Sequence, residues 1–126
     1  MSPKRGDRAA PPPRKGEYDV RFADNQVVAG WEQLCAQAAG NTRRAWEAIA
    51  ADPRPKPPTE RHHQLKHLLA TRDYRGRILE QWQYEVTGDG RIWYLIDDAK
   101  RTVWLTYTGT GHPKVEPGLL HGQRAP

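Results

Sequence analysis

The feature that most constrains this chain is a run of three apolar–polar alternations separated by tight turns. Over residues 78–87, Trp82, Tyr84 and Val86 fall on one side and Gln83, Glu85 and Thr87 on the other, the period of two that a half-buried strand requires. Gly88-Asp89-Gly90 supplies a hairpin turn, and residues 91–96 and 102–107 continue as two more strands joined around Asp97-Asp98-Ala99-Lys100. Consecutive strands with connections this short pair as an antiparallel meander.

Upstream, Tyr18-Asp19-Val20-Arg21-Phe22 alternates in the same way and predicts a first strand. Asp24 can cap a helix in which Val27, Trp31, Leu34, Cys35 and Ala38 recur at intervals of three and four, ending at Gly40. Asn41 can cap a second helix carrying Trp46, Ile49 and Ala50, which must stop at Pro53. The expected class is α+β: an amino-terminal strand, an antiparallel helical hairpin, then a three-stranded antiparallel meander, with the helices on one face of a single sheet. The opposite face is left open, with Trp93 or Trp104 on it. Trp31, Trp46 and Trp82 are expected in the core.

A chain of 126 residues has room for one domain. Residues 1–16 hold Pro11, Pro12 and Pro13 among Lys4, Arg5, Arg8, Arg14 and Lys15, with little to bury, and predict a disordered basic arm. Residues 116–126, with Gly118, Gly122 and Pro126, predict a flexible tail, which leaves 17–115 as the folded domain. The formal net charge of +5 is unevenly spread. Besides the arm, residues 54–77 place Arg54, Lys56, Arg61, Lys66, Arg72, Arg75 and Arg77 against only Glu60 and Asp73. A basic patch of that kind fits a polyanionic partner.

Several classes are excluded. No apolar stretch approaches the roughly 20 residues of a membrane span, and Met1 is followed by Ser-Pro-Lys-Arg rather than an apolar signal core. A cytoplasmic protein without membrane partners is expected. Cys35, the one cysteine, cannot form an internal disulfide or a cysteine zinc cluster, and its place in the helical stripe predicts a buried thiol. His62, His63 and His67 lack a carboxylate at metal-binding spacing, so no metal is expected. Glu85, Asp97 and Asp98 have no partner for paired-carboxylate hydrolysis, no glycine-rich phosphate loop exists, and no cofactor is expected.

Three strings, in order, carry a family resemblance: Gln64-Leu65-Lys66-His67 after the proline-rich loop; Gly90-Arg91-Ile92-Trp93-Tyr94-Leu95-Ile96-Asp97-Asp98; and the last strand running into Gly111-His112-Pro113-Lys114. Together with the element order, they resemble the RelE/ParE superfamily of bacterial type II toxins over about residues 17–115. The chain departs from that pattern at His67, where the family often has glycine, and at Glu85-Val86-Thr87, where it often has an arginine. The resemblance implies a toxin held inactive by a cognate antitoxin and, for RelE-like members, metal-independent cleavage of mRNA on the ribosome by attack of the substrate's 2′-hydroxyl on the adjacent phosphate.

That chemistry needs a base near the 2′-oxygen, cationic donors for the developing phosphoryl charge, and an acid for the leaving 5′-oxygen. Transferred residue by residue, the catalytic candidates are Lys66, Arg91 and His112. Arg91 is the phosphate-binding candidate, since its planar fork can donate two hydrogen bonds. His112, between Gly111 and Pro113, is a candidate acid or base. His67, Arg75, Arg77, Trp93, Tyr107 and Lys114 are the substrate-binding candidates. The alternatives are a ParE-like toxin that binds DNA gyrase without cutting nucleic acid, and a family member that binds RNA without catalysis.

Overall fold

The computed structural model describes residues 3–9 and 11–110. The chain is α+β, with two helices and a six-stranded mixed sheet. In order, it forms β1 (Asp19–Phe22), α1 (Gln26–Gln37), α2 (Ala39–Ala51), β2 (His62–Gln64), a short 3-10 turn (His67–Leu69), β3 (Thr71–Tyr74), β4 (Arg77–Glu85), β5 (Arg91–Asp97) and β6 (Thr102–Gly109). The sheet runs β1-β6-β5-β4-β2, with β1 parallel to β6 and β4, β5 and β6 as antiparallel neighbours. Among the described residues no helix is long and apolar enough to cross a membrane.

Asp24 opens α1: its carboxylate accepts from the backbone N–H of Gln26 at 3.0 Å and of Val27 at 3.2 Å, satisfying donors that a helix start leaves open. The helical break falls at Ala38, with φ −144° and ψ 56°, rather than at Gly40. Val27, Val28, Trp31 and Leu34 are buried from α1, and Thr42, Ala45, Ile49 and Ala50 from α2. They meet Val20, Phe22, Trp82, Ile92, Tyr94, Ile96, Val103 and Leu105, the residues that strand alternation places on one face. Cys35 is exposed, against the expectation of a buried thiol. It follows Leu34 by one residue, a turn of about 100° that carries it off the buried stripe.

The prolines between Arg54 and Pro58 and the basic residues that follow to His67 predict a solvated loop or short turn, and from His62 onward the structure differs. β2 and β3 pair in succession with the same edge of β4, His62 opposite Tyr84 and Gln64 opposite Trp82, then Thr71 opposite Glu80 and Tyr74 opposite Arg77. Residues 66–70 leave the ladder between them, while Leu65 N–H still donates to the Gln81 carbonyl and Gln81 N–H to that of Ala70. The two short strands lack an apolar period of their own. Their order comes from β4.

The amino-terminal arm also departs from expectation. Gly6 N–H donates to the Phe22 carbonyl at 2.9 Å, Phe22 N–H to Asp7 at 3.0 Å and Ala9 N–H to Val20 at 2.8 Å, so this part of the arm lies antiparallel along β1. Arg8 pairs with Asp19 at 2.8 Å. An open strand edge presents a row of unpaired backbone groups, and the arm covers the one on β1 with backbone bonds that its composition does not reveal. The expected tail, residues 116–126, lies outside the described residues.

Candidate nucleic-acid interface

The face of the sheet away from the helices divides into two zones. In the first, the β3–β4 hairpin covers it: Leu79, Leu95, Trp104 and Ala23 form a second buried cluster with Tyr74 packed against it, and Tyr74 donates its hydroxyl to the Ala23 carbonyl. Trp104, expected on an open surface, is 7% exposed and donates its indole N–H to Asp97 at 3.2 Å. The Arg75 guanidinium lies 5.1 Å from the Tyr74 ring centroid and 5.5 Å from that of Trp104.

The second zone is not covered by the hairpin. Strand register sets His63 opposite Gln83, Gln83 opposite Trp93 and Trp93 opposite Tyr107, which makes one row across four strands. A β-bulge where Trp93 gives way to Tyr94 leaves Thr106 as the extra residue on β6. The bulge places Thr106 and Tyr107 on this same face: Thr106 donates to the Gln81 side-chain carbonyl at 2.9 Å, and the Tyr107 ring lies 5.8 Å from that of Trp93. Trp93, Tyr107 and Gln83 are half-buried. Beside this row runs the sheet edge that carries exposed Arg61, Lys66 and His67, with His63 half-buried among them.

The basic stretch is partly neutralised. Arg54 pairs with Glu80 at 3.0 Å and Asp98 at 3.1 Å, Arg77 with the buried carboxylate of Asp97, and Arg61 with Glu85 at 3.6 Å. Burial raises the Asp97 pKa, but hydrogen bonds from Arg77 and Trp104 more than offset it and hold the carboxyl below its ordinary value. Among the described residues Lys56, Lys66 and Arg72 have no ion-pair partner. Lys56, His63 and Lys66 line a groove of about 760 Å³ at the β2 edge, together with Arg54, Glu60 and Glu80.

Arg91, expected as the phosphate-binding residue, is instead buried, at 7% exposure. Its Nη1 donates to the carbonyls of Thr87, Gly88 and Gly90 at 3.0–3.1 Å, and Nη2 lies 3.3 Å from Glu85. These groups close the β4–β5 turn, so the guanidinium faces its own hairpin. Arg77 and Arg75, both read as substrate-binding, are engaged with Asp97 and with the Tyr74–Trp104 rings. Lys66 lies level with Gln81, whereas Arg91 opposes Glu85. Four residues of β4 separate them, about 13 Å at the strand rise. The structure therefore brings Trp93 and Tyr107 together and keeps Lys66 and His67 on the neighbouring edge, but does not gather Lys66 and Arg91 at one point. His112 and Lys114 lie outside the described residues.

His62, which sequence reasoning left unassigned, proves to be structural. It is 8% exposed and packed edge-on against Trp82, Tyr84 and Tyr94. Tyr94 donates its one hydroxyl proton to the Pro53 carbonyl at 2.7 Å, so its oxygen must accept from His62 Nε2. Such an imidazole is neutral, with its proton on Nε2. Burial lowers its pKa from 6.5 to about 4. Because the folded value lies below the unfolded one, the associated stability is complete above about pH 6.5 and is lost as pH falls toward 4. Two and a half units correspond to a loss of up to roughly 3 kcal/mol. Urea titrations at pH 7.5 and pH 4 should show His62→Gln losing less stability on acidification than the parent protein; equal losses would remove His62 as the cause.

Among the described residues no group of three His, Cys, Asp or Glu side chains is placed to hold a metal ion. No family model, curated protein or solved structure matches the chain.

Proposed function

We propose that this protein is a RelE-like endoribonuclease toxin that binds single-stranded mRNA on the open zone of its sheet and cleaves it without a metal, on the ribosome. The observation that carries this reading is the half-buried Trp93–Tyr107 pair beside an edge bearing exposed His67 and Lys66, which has no ion-pair partner among the described residues. Aromatic rings that receive bases next to cations that receive phosphates are the working parts of a single-strand RNA surface.

The backbone at His67 supports the resemblance. Its φ is 56°, in the left-handed region that glycine adopts without cost, and this is the position at which the family often carries glycine. Catalysis falls to Lys66 as transition-state cation, His67 as substrate ligand and His112 as acid or base. Arg91 acts on the turn instead. A cognate antitoxin would neutralise the toxin by laying an acidic segment over the Lys56–Lys66 edge.

One observation favours a reading without catalysis, either a ParE-like gyrase binder or an RNA-binding relative: the burial of Arg91 removes the expected phosphate ligand from solvent. Cell-free translation with mapping of the mRNA ends separates these readings. Discrete A-site cuts are expected from the parent protein, with cleavage reduced by about 100-fold or more in Lys66→Ala, the order typical of a lost transition-state donor. Uncut message with inhibited supercoiling would replace the nuclease with a gyrase binder. Uncut message with retained RNA binding would leave the adaptor.

A further inference from the structure

We infer that Gln83 selects the nucleobase at this surface and favours uracil and guanine, which present carbonyl oxygens, over adenine. The inference rests on the RNA-binding reading above. Trp93 Nε1 lies 2.8 Å from Gln83 Oε1. An indole N–H only donates, so the Trp93 contact fixes which end of the amide is which. The oxygen faces Trp93, and the two N–H donors of Nε2 turn the other way. Among the described residues nothing accepts from them.

The surroundings define what can reach those donors. Gln83 stands in the row between His63 and Trp93, with Tyr107 beyond, on the face that the β3–β4 hairpin leaves open. A base stacked on the Trp93–Tyr107 pair would bring its edge to Gln83. An unconstrained glutamine reads adenine through both ends of its amide, accepting from N6 and donating to N7. Here the Trp93 contact turns the oxygen away from the approaching base, so adenine can accept at N7 but its amino group faces the second N–H of Nε2 and gains no partner. The O4 of uracil, or the O6 and N7 of guanine, accept instead. Phosphate contacts along the Lys56–Lys66 edge are the same for every sequence, so discrimination falls to this amide.

The experiment measures anisotropy of end-labelled RNA hexamers with the full chain at one salt concentration: oligouridylate, oligoadenylate, and an adenylate hexamer with one central guanine. The parent protein should bind the first and third about tenfold more tightly than oligoadenylate, the discrimination expected of one well-made hydrogen bond. Gln83→Met should lower both ratios by about tenfold. Gln83→Glu, which presents only acceptors, should shift them further toward adenine, and its uniform loss of affinity cancels in the ratio. Trp93→Phe keeps a ring but frees the amide to rotate, and should also lower the ratios. If every hexamer binds and all three variants keep the parent ratios, Gln83 is not the selector while the RNA reading survives. If no hexamer binds the parent protein, both are overturned.

Discussion

Arg91→Ala is expected to lower the unfolding free energy by about 3 kcal/mol. Removing one partner from a buried charge pair costs about 3–5 kcal/mol, because the other charge is left uncompensated. The lower end applies because Glu85 keeps Arg61 at 3.6 Å and is 23% exposed. Three turn carbonyls lose their donor as well. Urea unfolding followed by tryptophan fluorescence reads the loss directly, and Arg91→Lys, which keeps the charge but not the fork, should fall between the two. A variant of parental stability that has lost RNA cleavage would return Arg91 to the site and refute the structural role assigned to it.

Gly30→Ala is expected to cost about 3 kcal/mol, at the upper end of overpacking effects. A Cβ at Gly30 would stand 1.9 Å from the Thr108 carbonyl oxygen, a backbone atom of β6 with no freedom to rotate away. Helix α1 is held at this close approach by Thr108, whose hydroxyl donates to the Val27 carbonyl at 2.7 Å. Gly40 makes the contrast: its added Cβ would meet only the end of the flexible Arg44 side chain, at 3.7 Å. Gly40→Ala in the first turn of α2 should therefore stabilise, by about 0.5–1 kcal/mol from helix propensity. Thermal melts of the two variants should move in opposite directions. Equal shifts would mean that α1 does not sit on β6 as closely as described.

The α+β class, the two helices and the three long strands follow from periods of 3.6 and 2, which reflect which side chains must leave water and need no knowledge of neighbours. Asp24 was readable as a cap because its donors lie two and three residues away. β2, β3 and the docked arm were not readable. Each is held by backbone bonds to a strand that it meets only after folding, and such bonds carry no signature in side-chain type.

The candidate site divides along the same line. Trp93, Tyr107, Lys66 and His67 could be listed from residue type and from the family resemblance. Gln83 could not, because its meaning comes from the Trp93 indole on the next strand. Arg91 was misread for the reverse reason. An arginine that opens a strand looks available in one dimension, whereas in three its guanidinium meets the carbonyls of its own turn.

Alone, then, the sequence determined the periodic elements, the bulk of the helix-side core and the regional excess of cations, all local properties of side-chain chemistry. Tertiary structure decided which cations remain unpaired, which sheet zone the β3–β4 hairpin covers and which way the Gln83 amide points. Those outcomes depend on distances between residues far apart in the chain, and pairing and burial are settled only when the strands come into register.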